Sequence, residues 1–146
     1  MVLLNRKIDY ALLILCYLHH KAMGACAREI AGHFDISRPF VANILKDLCQ
    51  KGFVASHRGV KGGYVLLPTT ADLTLADLMD SLDEEKVRLA ECNQDRPQEC
   101  CSLADTCPIR GPIEEVHSRI RDVLENVKLA ELFRQAPALE IGVSRL

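Results

Sequence analysis

Ser37–Gly52, SRPFVANILKDLCQKG, followed by Phe53–Leu67, FVASHRGVKGGYVLL, decides the fold. In the first half Val41, Ile44, Leu45 and Leu48 recur at i, i+3, i+4 and i+7, which is one face of a helix. Ser37 is placed to cap that helix, its hydroxyl accepting a bond from an orphan amide. Pro39 suits the first turn, where its missing N–H costs nothing, and Gly52 is a natural stop. The second half changes period. Phe53–His57 and Tyr64–Leu67 read as strands, and the glycines of Arg58-Gly59-Val60-Lys61-Gly62-Gly63 allow the positive φ angles of a tight loop. A helix running straight into a hairpin is expected.

Upstream, Asp9–His20 is apolar on nearly every side, as a buried helix is, and Met23-Gly24 breaks it. Ala27–Phe34 is a short second helix with Ile30 and Ala31 inward and Arg28 and Glu29 outward, joined to the third by a tight turn ending at Ser37. Helix, helix, helix, hairpin is the order of a winged helix-turn-helix: mainly α, with a small β-hairpin wing. Downstream, Pro68 ends the second strand, and Thr74 with Asp77 has the spacing of a capping box for a helix reaching Leu82. Residues 83–112 are charged, rich in Cys, Pro and Gly, and weakly periodic; a loop that long usually has a purpose. From Ile113 the period returns, and Ile113, Val116, Ile120, Leu124 and Val127 form a narrow seam on a charged helix, suited to a partner helix. The expected organisation is therefore a DNA-binding domain over 1–82, a cysteine-rich loop over 83–112, and a dimerisation helix with a tail over 113–146.

The net charge of −2 over 146 residues hides an asymmetry. Residues 1–70 carry nine Lys/Arg against four Asp/Glu, and residues 71–146 carry nine against sixteen. A basic half beside an acidic half implies that the first meets a polyanion. Arg38 and Asn43 lie off the apolar face of the third helix, where they can reach base edges of double-stranded DNA. Lys46 and Ser37 suit phosphate, Arg28 points outward from the second helix, and Arg58, Gly59 and Lys61 form a slim wing tip for a minor groove. The apolar run Ala11–Leu18 is far short of the ~20 residues of a membrane span, and no small-residue cleavage site follows it, so a cytoplasmic protein with no membrane partner is expected. The sequence holds no nucleophile–base motif, phosphate loop or dinucleotide fingerprint, so no enzyme is expected.

Of seven cysteines, Cys16, Cys26 and Cys49 sit in helical patterns as small hydrophobes, whereas Cys92, Cys100, Cys101 and Cys107 fall within sixteen residues. In a reducing compartment such a group means metal binding or redox chemistry. Structural zinc sites usually use Cys-x-x-Cys pairs, and none occurs here. A metal-free thiol switch and a cluster-bearing electron carrier are the alternatives, although a carrier has no need of the wing or the basic half.

Asp9-Tyr10-Ala11-Leu12, Glu29-Ile30-Ala31, Ile36-Ser37, the wing Arg58–Tyr64, Leu75-Ala76-Asp77-Leu78 and the cysteine loop together resemble the family of IscR, NsrR and RirA. These are bacterial winged-helix transcription regulators, many of which sense through an iron–sulfur cluster. The resemblance covers nearly the whole chain and implies a homodimer crossed by the long C-terminal helix, with a 2Fe-2S or 4Fe-4S cluster and nitric oxide, oxygen, iron or redox state as signal. It implies three loop cysteines as ligands, the last two separated by five residues: Cys92, Cys101 and Cys107, with Cys100 as an alternative. In IscR-like members a histidine three positions after the last cysteine completes the set; here that position is Arg110. In NsrR-like members an aspartate near the N-terminus of the opposite subunit does so, and Asp9 stands at the matching place. Its other reading is a carboxylate favoured by the helix dipole. Cys26 stands where the family usually has a capping Ser or Thr.

Overall fold

The computed structural model describes residues 3–60, 62–83, 86–93, 97–137 and 139. Its elements are α1 (Arg6–His20), α2 (Ala27–Phe34), α3 (Arg38–Gln50), β1 (Val54–His57), β2 (Gly63–Leu66), a 3-10 turn (Pro68–Asp72), α4 (Leu75–Leu82), α5 (Pro97–Cys100), α6 (Arg110–Asn126) and α7 (Leu129–Gln135). They group into two compact units, Met1–Leu73 with Lys128–Leu146, and Thr74–Val127.

In the first unit α1 begins at Arg6, earlier than its apolar pattern, because Asn5 Oδ1 accepts the Ile8 amide at 2.9 Å. Its buried residues Ile8, Ala11, Ile14, Leu15 and Leu18 meet the expected apolar face of α3, where Val41, Ile44, Leu45 and Leu48 are buried. A Tyr10–Phe40 edge contact at 5.2 Å and a Lys7–Asp47 ion pair at 2.7 Å also join α1 to α3. The turn between α2 and α3 uses Asp35 at φ 53°, a left-handed position that short polar side chains tolerate, and Ile36 donates to the Ala31 carbonyl at 3.0 Å. Ser37 does occupy the N-cap of α3, but its side chain makes no capping bond. Its carbonyl accepts from Val41 at 3.1 Å, and Pro39 removes one orphan donor from the same turn.

The hairpin is antiparallel, with Val54 opposite Leu66 and His57 opposite Gly63. A bridge on the other side of β2 was not foreseen: Ala25 donates to Tyr64 O at 3.0 Å and Tyr64 donates to Ala25 O at 2.7 Å. This bridge corrects the reading of the wing glycines. Gly59 has a positive φ, 118°, whereas Gly63 serves close approach: a Cβ there would lie 2.7 Å from Ala25 O. Across the bridge Gly24 has φ 90° and would put a Cβ 2.6 Å from Tyr64 O. Gly63→Ala is therefore expected to cost about 1–3 kcal/mol, the scale of overpacking against backbone. Gly32→Ala, on an open helical surface with nothing within 4 Å, should stabilise by about 0.5–1 kcal/mol. Thermal melts of the two variants should move in opposite directions; matching shifts would contradict the clamp.

Thr70, a buried polar residue, donates its hydroxyl to Phe53 O at 2.7 Å and so ties the turn after the wing to the end of α3. The tail segment returns to this unit: Leu129 and Phe133 of α7 are buried, and Phe133 lies 5.3 Å from the His19 ring. Burial, with the nearby His20 and Arg134 charges, holds His19 below the ordinary histidine range.

In the second unit the expected capping box is present, with Asp77 N donating to Thr74 Oγ1 at 3.2 Å and Thr74 N to Asp77 Oδ2 at 2.8 Å. Helix α4 packs on α6, and Arg121 grips Asp80 with both terminal nitrogens, one bond being 2.8 Å. That fork holds the Asp80 carboxyl below its usual range. Helix α6 starts at Arg110, before Ile113, and ends at Asn126. Val127 is extended, so the seam loses its last member to the helix end. No residue of α6 is buried in the single chain: Ile113, Ile120 and Leu124 are half-buried and Val116 is exposed. Among the described residues no helix is long and apolar enough to cross a membrane.

Candidate nucleic-acid interface and cysteine loop

The buried stripe of α3 fixes what the rest of that helix shows. Ser37, Arg38, Asn43 and Lys46 are exposed, as are Arg28 on α2 and Arg58 and Gly59 at the wing tip. Lys61, also expected to contact DNA, lies outside the described residues. The short α2–α3 turn and the Ala25–Tyr64 bridge hold α3 and the wing within one unit. Beside the bridge Lys21 pairs with Glu29, and that bond raises the lysine pKa. Sequence reasoning missed the bridge because its only local signal is glycine on either side, at Gly24 and Gly63.

The cysteine loop belongs to the second unit. Cys92, Cys101 and Cys107 are free, half-exposed thiols. Cys100 closes α5, and its side chain lies outside the described atoms. A chain of hydrogen bonds joins two of these cysteines. Ala104 N donates to Cys101 O at 3.2 Å, the Arg110 guanidinium donates to Ala104 O at 3.0 Å, and Arg110 N donates to Cys107 O at 3.4 Å. Among the described residues no three His, Cys, Asp or Glu side chains converge as a metal ion would need. Asp9 is exposed in the first turn of α1, in the other unit.

The remaining candidates separate. His33 is exposed, with its ring 5.0 Å from that of Tyr17. His117 is half-buried, and its Nδ1 accepts the Leu89 amide at 3.4 Å. Cys16, Cys26 and Cys49 are half-buried, and burial pushes the Cys16 thiol pKa up, which disfavours the reactive thiolate.

A third helix exposed along one face, preceded by a tight turn and followed by a clamped hairpin, defines a winged helix-turn-helix, a class of DNA-binding regulator. The chain belongs to the Rrf2 family: residues 4–135 match its model, described as iron-dependent transcriptional regulator. The regulator NsrR of Geobacillus kaustophilus is 27% identical over 138 residues, 93% of this chain and 92% of that protein. CymR, the global cysteine regulator of B. subtilis, superposes with a TM-score of 0.71 at 22% identity, over 94% of this chain and 100% of that one. IscR of T. potens superposes at 0.68 and 20% identity, over 99% and 93%. The family is thus one of transcriptional regulators, not of enzymes, and the mainly helical fold with one hairpin is the one expected from sequence.

Proposed function

We propose that this chain is a homodimeric, cytoplasmic regulator that binds promoter DNA through α3 and the wing, and that an iron–sulfur cluster sets its affinity. The observation that carries the DNA reading is the exposed face of α3, with Arg38, Asn43 and Lys46, in the same unit as the exposed Arg58. Arg38 and Asn43 read base edges, Lys46 and Ser37 hold phosphate, and Arg28, Arg58, Gly59 and Lys61 extend the contact along the groove.

The donor set fits a cluster in kind. Thiolates are soft, anionic iron ligands, and Cys92, Cys101 and Cys107 are free and half-exposed. Arg110 has no acceptor atom for a metal, and its guanidinium is engaged with Ala104 O; the resemblance to NsrR-like regulators then assigns the fourth position to Asp9 of the partner subunit, with Cys100 as the alternative. When bound, the group would supply iron that reacts with nitric oxide or oxygen. A change at the loop would then reach α6, to which the loop is hydrogen-bonded, and alter promoter affinity.

Titration of labelled promoter DNA at several salt concentrations tests the DNA reading. Affinity should fall steeply with salt as counterions are released, and Arg58→Ala should weaken binding by about 1–3 kcal/mol. Salt-independent binding, or no promoter bound at all, would favour an electron carrier.

A further inference from the structure

Among the described residues, two hydrogen-bonded points fasten the cysteine loop to α6, and neither uses a thiol. At one, Leu89, three residues before Cys92, donates its amide to His117 Nδ1 at 3.4 Å. At the other, the Arg110 guanidinium donates to Ala104 O at 3.0 Å, while Arg110 N donates to Cys107 O. Ala104 is itself 4% exposed and donates to Cys101 O, so one arginine is linked to the backbone of two cysteines. Arg110 and His117 stand two turns apart on the same helix. We propose that Arg110 and His117 are positioning residues, which hold the two arms of the loop on α6 and so set the access and placing of Cys92, Cys101 and Cys107. This deepens the cluster reading and rests on it for its consequence, but the clamp itself is a property of the chain without any metal.

The two bonds are unequal. The arginine bond is charge-assisted and of normal length, whereas the histidine bond is long and its acceptor must be unprotonated at Nδ1. Arg110 should therefore govern the Cys101–Cys107 arm strongly, and His117 the Cys92 arm more weakly. The clamp also gives the loop a route to α6: a change at the thiols that moves Ala104 or Leu89 must break a bond to the helix.

The test uses metal-free, reduced full-length protein, with the alkylation rate of each cysteine read by mass spectrometry. Losing one hydrogen bond that keeps a segment closed should raise local opening roughly two- to ten-fold. Arg110→Ala should raise the rates at Cys101 and Cys107 by that factor and leave Cys49 unchanged. Arg110→Lys, which keeps a charged donor, should restore most of the protection. His117→Ala should raise Cys92 alone, and His117→Asn, whose Oδ1 can stand in for Nδ1, should reverse it. Unchanged rates, or equal acceleration at Cys49, would overturn the clamp, the latter by showing general loosening. If the wild type purified anaerobically is colourless and the metal-free protein still shows this pattern, the cluster is refuted and the clamp stands.

Discussion

Anaerobically purified protein with alanine at Cys92, Cys101 or Cys107 is expected to lose its visible absorption, whereas Cys100→Ala keeps it. Each of the three is a free, half-exposed thiol, and removing one anionic sulfur would leave the proposed cluster short of a ligand. Cys101 and Cys107 share a hydrogen-bonded chain through Ala104 and Arg110, which makes them a pair set by the backbone. Asp9→Ala should keep a chromophore but alter its spectrum and its reaction with nitric oxide, because a carboxylate is a harder and more labile ligand than a thiolate. Iron and sulfide analysis alongside the spectra counts what each variant holds. If Asp9→Ala is silent while Cys100→Ala bleaches, Cys100 is the fourth ligand. If the parent is colourless and its DNA binding instead follows thiol oxidation, the metal-free switch is the correct reading.

What was legible in the sequence is what local pattern dictates. The four buried residues of α3 follow from the 3.6 period, and the Thr74–Asp77 box from a three-residue spacing. Both are written in neighbouring residues. The Ala25–Tyr64 bridge, the return of Phe133 to His19, and the Arg121–Asp80 fork join positions 39, 114 and 41 residues apart, and no local pattern announces them. Arg110 shows the limit most sharply. From sequence it registers as the loss of a ligand, and only the fold shows its guanidinium on Ala104 O. The His117 contact is hidden for the same reason, since its partner Leu89 lies 28 residues upstream. The Ser37 cap was legible as a position but not as a bond, because the cap residue can hold the helix by its carbonyl alone.

Val116→Glu is expected to convert the proposed dimer to monomer while leaving the thermal stability of the chain nearly unchanged, which would separate the edge of α6 assigned to a partner from the edge its own chain covers. Arg121 reaches Asp80 and so marks the side of α6 turned to α4. At 3.6 residues per turn Val116 and Val123 lie about 140–160° around the helix from it. The half-buried Ile113, Ile120 and Leu124 fall between. Exposure follows that order, with Val116 at 44% and Val123 at 63%. The seam read from sequence is therefore one apolar face whose half-buried edge lies toward α4 and whose exposed edge the proposed dimer would cover. In a two-fold interface each substitution occurs twice, and an unpaired carboxylate buried among valines costs several kcal/mol per copy, enough to abolish an association of ordinary strength. Ile120→Glu should also give monomer, but with a lowered melting temperature, because Ile120 is half-buried within its own chain. Sedimentation gives the mass and a thermal melt gives the stability. A Val116→Glu protein that remains dimeric would move the interface off this stripe, and one that melts early would place Val116 in the packing of its own chain.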